Sequence, residues 1–114
     1  MIWGYISDDR FLPEPVHGYV YFIRDGLGHI KIGIAKNVKR RMRALQTNNP
    51  MRLEYYFGLK VESIDDARII ERELHEVFKD DRLCGEWFNE KPVLAFLSNK
   101  TLDLGGYIFN GVGG

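Results

Sequence analysis

The feature that most constrains the fold is a pair of β-type runs separated by a short, glycine-containing loop. The first run, GYVYFIRDG (residues 18–26), is rich in β-branched and aromatic residues, and the second covers about residues 29–35. Two such runs across a loop of this kind predict an antiparallel β-hairpin. The second run passes directly into a basic segment over about residues 38–47, which has apolar residues at helical spacing and Asn37 as a candidate N-cap.

The remaining chain adds one further strand and two further helices. The sequence predicts a third strand over about residues 53–61, a longer helix capped at Ser63 or just after it, and a final helix over about residues 91–99. This order of elements predicts an α+β domain with a small three-stranded antiparallel sheet flanked by about three helices.

With 114 residues, the chain is long enough for one hydrophobic core and too short for two. We divide it into an N-terminal arm (1–17), a folded domain (18–99) and a glycine-rich C-terminal tail (100–114). The tail is expected to be irregular or to add an edge strand. Within the domain, GEWF (residues 85–88) is interpreted as a short extended piece.

Composition excludes several classes of protein. Cys84 is the only cysteine and the three histidines are scattered, so neither an internal disulfide nor a Cys/His zinc cluster is possible. No apolar run approaches about 18 residues, and the N-terminus lacks a basic region followed by an apolar one, so we expect neither a membrane span nor a signal peptide. The expected location is the cytoplasm, which is the host cell cytoplasm if a phage encodes the protein.

The net charge of zero hides a division along the chain. Residues 24–52 contain eight lysines or arginines and one acid, whereas residues 62–90 contain ten acids and four bases. One interpretation is that two solvated helices carry opposite charges. The other is a basic surface for a polyanion beside an acidic position for a cation.

Helical geometry separates one cation and one acid from the other charges. At about 100° per residue, Arg41 lies roughly 60° from the centre of its helix's apolar stripe, whereas Lys39, Arg40 and Arg43 lie roughly 90° or more away. On the acidic helix, Glu71 lies roughly 70° from the centre of the stripe. Arg41 and Glu71 are therefore predicted at the rim of the core, either as a partly buried ion pair or as a functional pair.

Alternation along the hairpin adds further polar side chains. Tyr19 and Tyr21 share one face of the first strand, and Lys31 and Gly33 share one face of the second. A glycine inside a strand often marks the close approach of a ligand or another chain segment. His75 lies one turn beyond Glu71 on the same side of its helix, within reach of the same region.

Five motifs then occur in a characteristic order: YVYFI, KIG about ten residues later, NVKRRMRALQTNNP, ERELHEVF and GEWF. Together they resemble the GIY-YIG nuclease superfamily. More narrowly, they resemble its phage and fungal branch, whose second motif reads KIG and whose later signature is ExxLH followed by GEWF. The resemblance covers about residues 18–90 and implies the fold of that superfamily.

The resemblance also implies roles for individual residues. Tyr19-Val20-Tyr21 stands for the first motif, Lys31-Ile32-Gly33 for the second, Arg41 for the catalytic arginine and Glu71 for the metal-binding glutamate. Lys31 replaces the second motif's tyrosine, which leaves the general base open between Tyr21 and Lys31.

The activity that follows from the resemblance is metal-dependent hydrolysis of DNA phosphodiester bonds. Glu71 would hold Mg²⁺ (or Mn²⁺), and Arg41 would neutralise charge on the phosphoryl oxygens. Tyr21, beside Lys31 and Arg41, is expected to have a lowered pKa and is favoured as the base or water-orienting group, with Lys31 as the phosphate clamp. His75 is interpreted either as a catalytic group that orients Glu71 or relays a proton, or as a structural residue.

Seven residues are candidate DNA contacts, and for each the simpler interpretation is an ordinary surface or structural residue. These are Tyr19, Arg24, Lys39, Arg40, Arg43, Asn48 and Asn49. Two other functions stay open: a catalytically inactive nucleic-acid-binding or regulatory module of the same fold, and a phage-type module that binds a protein. The neutral net charge and the short chain favour a partner protein or a second copy that supplies recognition.

Overall fold

The computed structural model describes residues 17–98 and, as backbone, residues 101–104 and 107–110. The proposed N-terminal arm therefore lies outside the described residues, apart from His17. The elements of residues 17–98 are β1 (Gly18–Arg24), β2 (His29–Ala35), α1 (Val38–Thr47), β3 (Glu54–Val61), α2 (Ile64–Val77), a 3-10 turn (Lys79–Asp81), β4 (Arg82–Cys84), β5 (Trp87–Asn89) and α3 (Glu90–Leu97).

The predicted hairpin and the predicted helices are confirmed. β1 and β2 pair antiparallel, and the bounds of α1 agree with the predicted range. Asn37 Oδ1 accepts a hydrogen bond from the Arg40 N–H at 3.0 Å, and Ser63 Oγ accepts one from the Asp66 N–H at 3.1 Å. Both side chains therefore cap their helices by satisfying an N–H group that has no partner within the helix.

The predicted three-stranded sheet is wrong, because the sheet has five antiparallel strands in the order β3-β1-β2-β5-β4. The GEWF segment supplies most of β5, which pairs with β2 at Lys31↔Trp87. β4 runs back along β5 through a turn at Gly85, whose φ of 54° favours glycine. Strands of three residues are too short to show an alternation, so their pairing could not be seen in the sequence. The fold class remains α+β.

Helices cover both faces of the sheet. On one face, α2 and α3 enclose a core that includes Val20 and Phe22 of β1. On the other face, α1 packs on Tyr19 and Tyr21. Successive residues of β1 thus alternate between two buried layers, as the geometry of a strand requires.

The C-terminal tail contains a small antiparallel sheet of its own, formed by β6 (Thr101–Leu104) and β7 (Tyr107–Asn110). The expectation of an irregular tail or an added edge strand is therefore wrong for these residues. The signal for a hairpin was present as two β-type runs on either side of Gly105-Gly106. Of the helices that the structure describes, none has the length and apolar character that crossing a bilayer requires.

A close contact between neighbouring strands explains the glycine in β2. Tyr21 pairs with Gly33 across the β1–β2 ladder, and the Tyr21 ring lies over the glycine. A Cβ atom placed on Gly33 would lie 2.5 Å from Tyr21 Cζ. Any side chain at this position would therefore displace the ring or separate the strands.

Gly33→Ala is expected to lower the free energy of unfolding by about 1–3 kcal/mol, because the added methyl overlaps the Tyr21 ring. The matched comparison is the same substitution in a Tyr21→Leu background, where the ring is absent. Denaturant unfolding of the four proteins should show a smaller penalty in that background. An equal penalty in both backgrounds would show that the ring is not the obstacle.

Candidate active site

The candidate site lies where β5 stops pairing with β2. The Ile32 N–H donates to the carbonyl oxygen of Glu86 at 3.1 Å, and the Ile32 carbonyl accepts a hydrogen bond from His75 Nε2 at 3.0 Å. The paired residues of β2 and β5 end at Lys31↔Trp87. Side chains of α2 therefore reach the edge of β2 at the residue that separates Lys31 from Gly33.

On the α1 side of the site, Arg41 donates a hydrogen bond to the Tyr21 hydroxyl oxygen. Tyr21 is only 1% exposed, whereas Arg41 is exposed at the surface of α1. Arginine has only donor groups, so the tyrosine oxygen must be the acceptor in this pair. The hydroxyl proton of Tyr21 is therefore not used in this hydrogen bond.

The expected lowering of the Tyr21 pKa is wrong. Burial raises the pKa of Tyr21, and the neighbouring Arg41, which lowers it, does not outweigh that effect. The carboxylates of Glu71 and Glu86 add to the rise. Tyr21 is therefore neutral at physiological pH and suits the role of a hydrogen-bond donor better than that of a base.

Lys31 forms an ion pair with a residue that sequence reasoning had left without a role. Lys31 Nζ lies 2.7 Å from Glu86 Oε1, and the Lys31 side chain is 9% exposed against 39% for Glu86. The ammonium is thus nearly buried, and it is compensated by a carboxylate that also meets solvent. Glu86 belongs to the GEWF motif, but no role followed for it, because the pairing of β5 with β2 was not predicted.

The carboxyl groups of Glu71 and Glu86 contact each other through a hydrogen bond. Burial, followed by the charge and hydrogen bond of Glu86, raises the pKa of Glu71 to about 7. Burial would also raise the pKa of Glu86, but the Lys31 ammonium reverses this and lowers it. The shared proton therefore belongs to Glu71, which donates it to the Glu86 carboxylate.

One oxygen of Glu71 has no hydrogen-bond partner. Glu71 Oε2 is buried, and within the part of the chain that the structure describes no group donates to it. Those residues also contain no cluster of three or more metal-ligating side chains. Glu71 and its neighbour Glu86 are therefore the carboxylates of this site that are available to a cation.

His75 ties a helix to the sheet. Its Nε2 bonds the Ile32 carbonyl, and its ring packs 5.0 Å from the ring of Phe88 between centroids. The bond to a carbonyl makes Nε2 the donor and thereby sets the tautomer of a neutral ring. These contacts support the structural interpretation of His75, and they do not involve the Glu71 carboxyl.

Three candidate DNA contacts remain exposed cations on α1: Lys39, Arg40 and Arg43. They lie on the same helix as Arg41. Their exposure agrees with the helical geometry, which placed them away from the apolar stripe.

The structure gives other roles to the remaining candidates. Tyr19 is buried beneath α1 and belongs to the same core cluster as Val38 and Leu53. Arg24 Nε lies 2.6 Å from Glu90 Oε1, so this guanidinium joins β1 to α3. Asn48 Nδ2 donates to the Ala44 carbonyl at 3.4 Å, and Asn49 Oδ1 accepts from the Met51 N–H at 2.9 Å. The two asparagines thus stabilise the turn after α1.

The free energy of unfolding of the unchanged protein is expected to fall between about pH 5 and about pH 8. In Glu71→Gln, measured with a chelator present, this fall should be smaller by on the order of 1 kcal/mol. The pKa of Glu71 is raised from 4.5 to about 7 in the folded protein. The neutral carboxyl therefore stabilises the fold at low pH, and this contribution is lost as the pH rises through about 7. Glutamine mimics the neutral carboxyl at every pH.

The control is Glu76→Gln, which changes an exposed carboxylate of the same helix. It should keep the pH dependence of the unchanged protein. If Glu71→Gln also keeps that pH dependence, the proton does not reside on Glu71.

Comparison with known proteins identifies the family of the chain. Residues 18–103 match the T5orf172 domain, a phage-type domain related to GIY-YIG and other nuclease-like groups, although the GIY-YIG family itself is not matched. No curated protein and no solved structure matches the chain. Because the match spans more than half of the sequence, the chain belongs to the T5orf172 domain family.

Proposed function

We propose that this protein is a divalent-cation-dependent nuclease that hydrolyses phosphodiester bonds of DNA. The phage-type, nuclease-like character of its family and the five motifs that resemble GIY-YIG nucleases support this function. The observation that carries it is a set of contacts that links four elements around Gly33. These contacts involve Tyr21 of β1, Lys31 of β2, Arg41 of α1 and Glu71 of α2.

Three hydrogen-bond donors of the site suit a phosphodiester. Arg41 keeps its charge at all relevant pH values and is exposed, so it can neutralise negative charge that develops on the phosphoryl oxygens. Tyr21 offers its hydroxyl proton to one of these oxygens or orients the attacking water. Lys31, as an ammonium, donates to the same group. This set favours phosphate over a neutral substrate.

The acidic part of the site fits a cation with few protein ligands. Glu71 would hold Mg²⁺ or Mn²⁺, because its buried Oε2 has no hydrogen-bond partner among the described residues. A single carboxylate suits Mg²⁺, which keeps most of its waters and takes further oxygen ligands from phosphate. When bound, the ion would supply Lewis-acid polarisation of the phosphodiester. Binding requires that Glu71 lose the proton it shares with Glu86.

Recognition of DNA would begin on α1. Lys39, Arg40 and Arg43 are exposed there beside Arg41, and contacts from such cations to phosphates are independent of sequence and weaken with salt. Three cations on a chain with no net charge provide modest affinity. We therefore expect a partner protein or a second copy of the chain to contribute to recognition.

Glu71→Ala and Arg41→Ala are each expected to lower the rate of DNA cleavage by about 100-fold or more, because each removes a group that meets the reacting phosphate or its cation. The assay uses plasmid, branched and single-stranded DNA with Mg²⁺ or Mn²⁺, and a chelator should abolish the activity. Glu76→Ala, which removes an exposed carboxylate of α2, should cleave normally. Cleavage that survives both site substitutions would contradict the assignment of the site.

A module that binds nucleic acid without cleaving it is the second candidate. The observation that favours it is that burial raises the pKa of Tyr21, the favoured base, and that Lys31 is held in an ion pair by Glu86.

For a module of this kind, DNA would be retained without cleavage, and Arg40→Ala and Arg43→Ala would each reduce the slope of log affinity against log salt by about 1. Fluorescence anisotropy at several salt concentrations measures that slope. A protein that neither cleaves nor binds DNA would instead have a protein as its partner.

A further inference from the structure

Glu86 occupies a position that the backbone defines closely. It follows Gly85, whose φ of 54° turns the chain between β4 and β5, and its carbonyl accepts a hydrogen bond from the Ile32 N–H at 3.1 Å. The next residue, Trp87, pairs with Lys31. The Glu86 side chain therefore starts from a fixed point beside the strand that carries Lys31.

From this point, a single carboxylate meets two groups of the proposed site. Its Oε1 lies 2.7 Å from Lys31 Nζ, and the carboxylate accepts a hydrogen bond from the Glu71 carboxyl. Lys31 has no other ion-pair partner within the residues that the structure describes. Since its side chain is only 9% exposed, the position of its ammonium depends on Glu86.

We propose that Glu86 is a positioning residue that holds the Lys31 ammonium beside Gly33, so that the phosphate-binding lysine keeps one place next to the cation-binding Glu71. The proposal rests on the nuclease function proposed above. Glu86 acts through Lys31 and is not assigned any contact with the reacting phosphate.

Holding the lysine in this way has opposite effects on the affinity for DNA and on the rate of cleavage. The ion pair with Glu86 compensates the charge of the Lys31 ammonium and restrains its reach, so the lysine attracts a phosphate less strongly. In return, the ammonium keeps one orientation, and misplacement of a group by about 1 Å can cost about 100-fold in rate. A positioning residue therefore lowers affinity and raises the rate of the chemical step.

If the Lys31–Glu86 ion pair only stabilised the fold, variants that remove it would behave differently. Loss of such a pair would lower stability, and any loss of cleavage would follow the fraction of unfolded protein. DNA affinity would then fall together with cleavage. The two roles are therefore distinguished by the direction in which affinity changes.

The test combines DNA binding without divalent cation, measured by fluorescence anisotropy, with cleavage in Mg²⁺. Glu86→Ala is expected to cleave about 100-fold more slowly while binding a short duplex about two- to tenfold more tightly. In a Lys31→Ala background, the same substitution should change either quantity by no more than about twofold. Glu86→Gln keeps an acceptor for Lys31 and should retain cleavage within about tenfold of the unchanged protein.

Several outcomes would overturn the proposal. One is that Glu86→Ala cleaves DNA at the unchanged rate. Another is that it binds DNA with unchanged or weaker affinity. The third is that its effects are the same with and without Lys31. Circular dichroism checks that the variants are folded. If Glu86→Ala does not fold, its place in the comparison of DNA affinities is taken by Glu86→Gln. Glu76→Ala controls for the general loss of a negative charge.

If the unchanged protein cleaves no DNA, the proposed function fails while the positioning role is still tested. The binding measurements alone then decide, because the gain in affinity of Glu86→Ala must disappear when Lys31 is also replaced. Additive effects on affinity would overturn the inference in that case as well.

Discussion

The Tyr21 ring lies directly on the backbone of Gly33, and the places of Arg41 and Lys31 in the site are tied to that contact. The glycine leaves room for the ring, whose hydroxyl meets Arg41 of α1. The same register pairs Lys31 with Ile23, two residues along the same face. A shift of one residue between the strands would move Tyr21 or Lys31 to the opposite face of the sheet. The pairing of β1 with β2 therefore determines both the shape and the chemistry of the site.

The charges of the site form two groups that meet at Glu86. Lys31 and Arg41 come from the basic part of the chain, and Glu71 and Glu86 come from the acidic part. A nearly buried ammonium requires a partner, which Glu86 provides. Ionisation of two neighbouring carboxyl groups is opposed by the repulsion between their charges, so Glu71 keeps a proton in the absence of a cation. A cation at Glu71 would replace this proton, which links metal binding to the charge state of the pair.

Local signals in the sequence predicted a large part of this structure. The hairpin, the helices and their caps depend on residues that are close in the chain. The helical period separated Arg41 and Glu71 from the other charges. Glu71 is partly buried as predicted, whereas Arg41 is exposed and bonds Tyr21 rather than Glu71. The three-residue strands were missed because they show no period. Glu86 was missed because its role depends on the pairing of β5 with β2, which brings together residues 55 positions apart.

The remaining errors concern burial and distant pairing. Neighbouring cations suggested a lowered pKa for Tyr21, but the sequence does not show how completely α1 and the sheet bury this ring. Tyr19 was a candidate DNA contact because the sequence also does not show that α1 covers this side chain. Arg24 was another, and its partner Glu90 lies 66 positions away. In each case a tertiary contact decided the outcome, and no local pattern indicated that contact.

In the proposed nuclease, the distribution of charge would separate DNA binding from catalysis. Glu86 compensates Lys31, so the interior of the site adds little net attraction for a polyanion. The attraction would then come from Arg41 and from Lys39, Arg40 and Arg43 on α1. About four phosphate contacts correspond to a slope of only about −3.6 in log affinity against log salt. A domain of this kind would hold DNA weakly by itself and would act where another surface has already brought the DNA close. The same distribution of charge explains how a chain with no net charge could carry the proposed phosphate site.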